Sequence, residues 1–521
     1  MHPHREIIEE ILSSEGIDRR GLERLKIEVC RRHALTRIPT NAEILALADE
    51  AERTRLLPLL RSKPTRTLSG VAVVAAMTSP AECPHGRCAY CPGGVEAGTP
   101  QSYTGREPAA MRASHHLFDP YRQVNARLKQ LSAIGHPVDK VDLIVMGGTF
   151  TSRPRAYREA FVKGCLDAMN HLTSKDLEEA KTLNEHAQSR CIGLTLETRP
   201  DCFNAMDALS LGATRVELGV QTLNDAALGR VGRGHGIAET VTATKAAKDA
   251  GLKTGYHMMP GLPGETLESD LRTFRILFED ERFKPDMLKI YPTLVLEDTR
   301  LHEAWLRSEY RPYSTEDVVT LLTEVKAFVP PWVRIQRIQR DIPVPLIVDG
   351  VRKSHVRMLV SQEMRRRGTR CGCIRCREAG LLGLDARDIA LEERSIGYRA
   401  SGAEEHFMSL EAGEALVAYL RLRITGEGAH STALGLPSSD RTLLGSVREL
   451  KVLGQMLPLS QHPKSEWQHR GLGERLLRWA EEVARHAGAK RMLITSGVGV
   501  REYYRRLGYA LEGTHMVKVF S

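Results

Sequence analysis

The chain has 521 residues, 42% of them hydrophobic and 27% charged, with a formal net charge of +9. That length exceeds one ordinary core and predicts two or three domains of a soluble globular protein. No run of about eighteen uncharged apolar residues occurs and the opening "MHPHREIIEEILSSEG" has no signal-peptide pattern, so a cytoplasmic protein with reduced thiols is expected.

Residues 1–67 read as helices. The stretches "HREIIEEILS" and "NAEILALADEAERTRLLPLL" repeat apolar residues at three- and four-residue steps, with a proline break before an expected cap at Asn41. Positive charge concentrates in two places. Residues 53–66 carry five basic side chains and no acidic one, and residues 351–377 carry nine against Glu363 alone. Two such segments can frame one groove for a polyanion, or can be ordinary solvated helix faces.

From 68 to 350 the texture changes to short apolar strands alternating with amphipathic helices. "GVAVVAAMTS", "VDLIVMGG", "RCIGLTLETRPD", "TRVELGVQTLN", "LKTGYHMMPGLPGET", "DMLKIYPTLV" and "VRIQRIQRDIP" follow one another in this rhythm. Repeated strand–helix units predict an α/β fold with a parallel sheet, closed or partly closed as a barrel. Chemistry in such barrels collects at the C-terminal strand ends. The cysteine loop "SPAECPHGRCAYCPGG", Gly147 and Gly148, Glu197, Gln221 and Glu265 of "PGLPGET" all fall there.

Cys83, Cys88 and Cys91 lie within nine positions of an otherwise cysteine-poor chain. Three thiolates leave one iron of a four-iron cluster without a protein ligand, free to bind a substrate or cofactor. A zinc site completed by His85 is the alternative. A second group, Cys371, Cys373 and Cys376 in "GTRCGCIRCRE", has spacing suited to a structural zinc within a 351–391 linker, its fourth ligand open between residues such as His355 and His406. Reduced surface thiols are the plainer reading of that group. A second α/β unit covers 392–521. Its "QHRGLG" places Gln468, Arg470, Gly471 and Gly473 at a helix start, where bare backbone N–H groups can approach a pyrophosphate.

The context of these motifs carries a resemblance. Tyr90 before the last cysteine, and "VMGGTF" after the next strand, resemble the radical S-adenosylmethionine enzymes, although four residues rather than the usual three separate the first two cysteines. The order of helix, strand and tyrosine-rich helix after "QHRGLG" resembles the GNAT acetyltransferase fold. Together with "CAYCPGG", "TPQSYTGREPAAMRA", "ETRPD", "RVELGVQT", "GYHMMPGLPGE", "LKIYPT", "RIQRDIP", "WQHRGLG" and "YYRRLGY", the chain resembles the Elongator catalytic subunit family, tRNA wobble-uridine carboxymethyltransferases.

That resemblance implies a helical, basic tRNA-binding region over 1–67, a partial radical S-adenosylmethionine barrel over 68–350, a zinc-binding linker and a GNAT domain. It implies a 4Fe–4S cluster on Cys83, Cys88 and Cys91, with S-adenosylmethionine touching Gly147, Gly148, Glu197, Gln221 and Glu265. Lys289 would orient an anionic or carbonyl group, and acetyl-CoA would sit at Gln468, Arg470, Gly471 and Gly473. Tyr503 or Tyr504 would meet its thioester, one of the two serving only to pack against the sheet. The implied product is 5-carboxymethyluridine in the anticodon stem-loop, with a homodimer or Elongator-like subunits as further partners. A protein lysine acetyltransferase with a purely structural barrel, and an RNA-binding adaptor that senses acetyl-CoA, are the competing readings. The two cofactor sites are expected to share a face.

Overall fold

The computed structural model describes residues 2–14, 16–63, 67–384, 389–425, 443–454 and 470–520. Helices Pro3–Ser13, Arg19–Arg32, Asn41–Ala46 and Glu50–Leu60 close around Ile7, Ile8, Leu22, Val29, Ile44 and Leu56. The cap expected at Asn41 is one residue earlier. Thr40 accepts from the Glu43 amide while Glu43 reaches back to the Thr40 amide, and Asn41, now inside the helix, donates to the Leu60 carbonyl.

The basic run at 53–66 is partly spent on this packing. Arg53 donates to the carbonyls of Leu45 and Ser132, and Arg61 to that of Gly135, fastening the N-terminal helices to the end of helix Pro120–Ala133. In 351–377, Arg366 and Arg367 pair with Glu363, and Arg377 pairs with Glu411.

Seven parallel strands form the first sheet: β1 (Ala72–Met77), β2 (Lys140–Met146), β3 (Arg190–Thr198), β4 (Arg215–Gln221), β5 (Lys253–Met258), β6 (Met287–Ile290) and β8 (Arg334–Ile338), in that spatial order. The short β7 (Val295–Leu296) pairs with β9 (Ile347–Asp349) apart from it. Neither edge strand of the large sheet pairs with the other, so it is a half-barrel with helices on its outer face. The second sheet runs β10 (Glu392–Ala400), β11 (Ala403–Ala412), β12 (Ala415–Thr425), β13 (Leu444–Val452), β14 (Arg491–Ile494), β16 (His515–Val519) and β15 (Ala510–Glu512) in spatial order. Its β13 and β14 are parallel and pair only over Leu444–Val447, so they part beyond Val447. Helix Leu472–His486 lies across β11, β12 and β13.

The two sheets meet at the N-terminal strand ends of the half-barrel. Arg448 on β13 makes a bidentate bond to Asp286, just before β6, at 2.6 and 2.8 Å, and also pairs with Glu405 on β11. Lys248 reaches Glu405 at 3.2 Å, Arg423 reaches it at 3.0 Å, and Arg421 holds Glu449 at 3.0 Å. Asp286, Lys248, Arg423 and Arg448 are fully buried. Burial opposes ionisation of Asp286, but the charges of Arg448, Lys248 and Arg421 outweigh it and hold that carboxyl well below its usual range. Trp332 stacks on Tyr398 at 4.4 Å beside this cluster.

Removing one member of such a cluster strands the others without water. Arg448→Ala is expected to destabilise the protein by about 3–5 kcal/mol, read as a lowered urea midpoint and as faster proteolysis between the two sheets.

Candidate functional site

The C-terminal ends of β1 to β6 surround a cavity of about 150 Å³, lined among others by Cys83, Tyr90, Gly148, Glu197, Gln221 and His257. The chain enters it as the loop after β1. Cys88 and Cys91 are buried and Cys83 is half-buried. Each sulfur has a polar partner. Cys83 Sγ is 3.3 Å from Thr149 Oγ1, Cys88 Sγ is 3.0 Å from His85 Nε2, and Cys91 Sγ is 2.9 Å from Ser102 Oγ. The guanidinium of buried Arg233 lies 3.7 Å from Cys88 Sγ and is anchored on the Gly219 carbonyl at 2.8 Å. The Cys88 thiol is pulled down, first by a hydrogen bond from Cys91 and then by His85 and the Arg233 charge, all working against burial.

The Thr149 and Ser102 hydroxyls, the His85 ring nitrogen and the Arg233 guanidinium are each able to donate to sulfur, a setting that suits thiolates holding a cluster. The cysteines therefore fit an iron–sulfur group at the mouth of the barrel.

Gly147 and Gly148 follow β2 with φ of +125° and +77°. A Cβ on Gly147 would lie 2.2 Å from Thr78 Oγ1 and 3.0 Å from the Thr78 amide, so glycine is required by both space and backbone. Gly147→Ala is expected to cost about 1–3 kcal/mol and to lower iron loading. Gly148→Ala, whose Cβ would meet Gln101 Cβ at 3.3 Å and its carbonyl oxygen at 3.5 Å without the 2.2 Å clash found at Gly147, is expected to do less in both assays.

Below the cysteines, charged side chains fill the concave face of the sheet. Strand alternation puts Glu197 of β3, Arg215 and Glu217 of β4, Lys253 and His257 of β5 and Lys289 of β6 on that face. Register brings them together, Glu197 opposite Glu217 and His257 opposite Lys289. Lys289 Nζ is 2.8 Å from Glu197 and also bonds Glu217, while His257 Nε2 is 2.9 Å from Glu217. Burial disfavours the charge on both Lys289 and Glu217, yet each partner holds the other ionised, Lys289 raised and Glu217 well below its usual range. Further down, Arg215 lies 3.4 Å from Glu217 and Lys253 lies 3.6 Å from Glu449 of the second sheet.

The expected site residues thus divide. Cys83, Gly148, Glu197 and Gln221 line the cavity, with Cys88, Cys91 and Gly147 beside it, whereas Lys289 lies under its floor as a paired cation. Glu265 turns away. It accepts from Thr222 at 2.7 Å, bonds Ser269, and borders a separate hollow with Arg230, Tyr310 and Tyr313, because "PGLPGET" turns there into helix Leu267–Glu279. Glu217, His257 and Arg233 were not singled out by motif. The signal for Glu217 and His257 is charge at inward-facing positions of otherwise apolar strands, whereas Arg233 lies in the loop after helix Asp225–Arg230.

Behind that second hollow, burial pushes Asp270 up to about 7, against hydrogen bonds from Tyr313 at 2.7 Å and the Gly261 amide at 2.8 Å. The folded chain then binds this proton more tightly than the unfolded chain, whose value is 3.8. The contribution of Asp270 to stability rises as pH falls from about 7 towards 4. Asp270→Asn is expected to flatten that part of the melting-temperature profile and to raise the midpoint most at pH 8.

In the second domain Gly471, at φ +72°, caps helix Leu472–His486 with open space where a Cβ would stand. A Cβ on Gly473 would lie 3.0 Å from the Tyr503 hydroxyl. Tyr503 is therefore the tyrosine at the glycine loop, and Tyr504 is buried against Tyr509 in the core. Arg470 is exposed at the same helix start, and Gln468 lies outside the described residues. The second sheet packs against the N-terminal strand ends of the half-barrel, whereas the cysteines lie at the C-terminal ends, with the charged concave face running from one towards the other.

The thiols of Cys371, Cys373 and Cys376 lie within 4.8 Å of one another, and among the described residues no fourth Cys, His, Asp or Glu joins that group. Neither His355, exposed before helix Val356–Arg366, nor His406, paired with Glu404 at 3.1 Å, is the missing ligand. Lys326 Nζ stands 3.7 Å from Cys376 Sγ.

Comparison with known proteins matches these units in chain order. Residues 2–68 match the ELP3 N-terminal domain, 79–277 the Radical SAM superfamily, 285–366 the Radical_SAM C-terminal domain and 382–509 the acetyltransferase (GNAT) family. The tRNA uridine(34) acetyltransferase of Methanocaldococcus jannaschii is 47% identical over 529 residues, covering 98% of this chain and 96% of that one. The chain belongs to the Elongator complex protein 3 family. The human Elongator complex protein 3 is 40% identical over 99% of this chain and 96% of its own length. The structure of the archaeal Methanocaldococcus infernus Elp3 with an N-terminal deletion superposes with a TM-score of 0.73 at 42% identity, covering 87% of this chain and 99% of that chain. The radical S-adenosylmethionine domain implies an iron–sulfur cluster and S-adenosylmethionine, and the GNAT domain implies acetyl-CoA. No helix among the described residues is long and apolar enough to cross a membrane.

Proposed function

We propose that this protein modifies the wobble uridine of tRNA, joining the methyl carbon of acetyl-CoA to C5 of the base, after which water cleaves the thioester, releases coenzyme A and leaves 5-carboxymethyluridine. The observation that carries the reading is the pairing, in one rigidly joined chain, of a three-cysteine cavity at one end of a half-barrel with an acetyl-CoA-type fold at the other. The names borne by the archaeal relatives, which specify uridine 34 of tRNA, support it.

When bound, the iron–sulfur group and S-adenosylmethionine supply a carbon radical able to take hydrogen from a methyl group. The chain does the rest. Cys83, Cys88 and Cys91 hold the cluster, while His85 and Arg233 bond to Cys88. Gly147 and Gly148 open backbone space next to it, and Glu197 and Gln221 offer acceptors at the strand ends. Gly471 and Gly473 present helix N–H groups to a pyrophosphate, with Tyr503 alongside. Tyr103 and Tyr291 give the cavity aromatic faces on which an extruded base can stack, as recognition of a single-stranded loop requires. A structural zinc on Cys371, Cys373 and Cys376 is part of the same reading. It would need a fourth donor from outside the protein groups grouped there, such as water. Protein lysine acetylation would leave the cysteine cavity and its buried charges without a use.

The test is an anaerobic assay with reductant, S-adenosylmethionine, methyl-labelled acetyl-CoA and bulk tRNA, read by mass spectrometry of the nucleosides. Labelled 5-carboxymethyluridine is expected from the parent protein and none from Cys88→Ala. Label on protein lysines instead of on tRNA would replace this reading by the acetyltransferase one.

A further inference from the structure

Replacing the hydrogen on C5 of uracil by a carbon substituent creates a proton-transfer problem. Addition of an acetyl-derived carbon radical forms the new bond at C5 and leaves an unpaired electron at C6. Restoring the C5=C6 double bond breaks the C5–H bond. Its proton must pass to a base, and one electron must return to the oxidised iron–sulfur cluster that gave one up to start the cycle. The electron count then closes without an outside oxidant, and a base within the cavity is the remaining requirement.

Most polar groups lining the cavity are unsuited to that task. Burial holds the phenols of Tyr90, Tyr103 and Tyr291 in their protonated form. Arg199, Arg233, Arg337 and Arg340 are cations, and Lys289 below them is kept charged by its two carboxylates. Glu107 is taken up by the Thr104 amide, and Asp341 by Arg337 at 2.7 Å. Glu197 accepts from Lys289 on one oxygen and from Tyr103 at 3.4 Å on the other. Glu217 is ionised but fully buried between Lys289, His257 and Arg215.

His257 differs from all of these. It is half-buried, borders the cavity, and meets the Tyr291 ring edge-on at 5.5 Å. An ionised carboxylate only accepts, so the 2.9 Å contact between Nε2 and Glu217 places the ring hydrogen on Nε2. Nδ1 is then the atom with a free lone pair, and Glu217 stands ready to stabilise the imidazolium formed when Nδ1 takes a proton.

We propose that His257, oriented by Glu217, is the base that removes the C5 proton of the uracil ring after the carbon–carbon bond has formed. The proposal rests on the uridine reading above. Its sequence signal is a histidine on β5, four strands on from the strand that leads into the cysteine loop, inward-facing and in register with Lys289.

The experiment uses the full cluster-loaded chain with reductant and S-adenosylmethionine, acetyl-CoA deuterated on its methyl group, and tRNA transcribed with deuterium at C5 of uridine. Two products are followed in parallel, deuterated 5′-deoxyadenosine and 5-carboxymethyluridine. His257→Gln is expected to release 5′-deoxyadenosine within about twofold of the parent while the nucleoside falls by roughly 100-fold, the usual worth of a positioned base. The isotope effect from C5 deuterium is expected to rise in the variant, since proton loss has become slow. Glu217→Gln should uncouple the two products to a lesser degree. Should His257→Gln fail to fold or to hold iron, Glu217→Gln and His257→Asn carry the same test. Equal loss of both products in a folded, iron-loaded variant, or no change in either, overturns the assignment of His257. Absence of deuterated 5′-deoxyadenosine from the parent protein overturns the uridine reading itself, and the base with it.

Discussion

A carboxylate with no exposure to water, Asp286, lies where the two sheets meet, and much of the architecture follows from having to keep it ionised. Its bidentate bond to Arg448 crosses the domain boundary, and Arg448 in turn binds Glu405, which gathers Lys248 and Arg423. Each of these ions would be costly alone, and together they compensate one another's lost hydration. Directional bonds of this kind fix orientation far more sharply than apolar contact does. The half-barrel and the GNAT sheet are accordingly locked in one arrangement, with the β13–β14 opening against the lower end of the strands.

From that lock a line of paired charges continues upward through the concave face of the half-barrel. Lys253 links Glu449 of one domain to the strands of the other, Arg215 and Glu217 take over, and Lys289, Glu197 and His257 finish below the cysteines. The arrangement keeps the cavity floor polar and ordered. Preorganised charge in such surroundings acts on a reacting group more strongly than it would in solvent. It also explains why Lys289 is not available as a base or as a mobile ligand, since two carboxylates hold it.

How much of this was legible before folding depends on the range of each interaction. The cysteine loop, Gly147 and Gly148, and the glycine pair at 471 and 473 are local, because each needs only a tight turn next to a strand or helix. The strand–helix rhythm likewise announced both α/β units. The zinc-type triad could be grouped by spacing, but its proposed histidine partners could not be checked, and both stand elsewhere. Glu265 was misplaced because a motif at a strand end can serve the helix that follows it. The partners of Asp286 were beyond reach, since Arg448 is 162 positions away and no local pattern marks the pairing. The side of the barrel on which the second domain docks is of the same kind.

The buried arginines of β12 and β13 have a consequence for how such a protein can be divided. Arg421, Arg423 and Arg448 find acids within their own sheet, yet Arg448 and Arg423 also depend on Asp286 and Asp249 from the half-barrel. A GNAT domain released from its partner would expose guanidinium groups shaped for counter-ions it no longer has. Gene fission between the two enzymatic halves would therefore yield fragments that recover their form only by finding each other again. The domain boundary that looks like a seam in the sequence is, in physical terms, the least separable part of the chain.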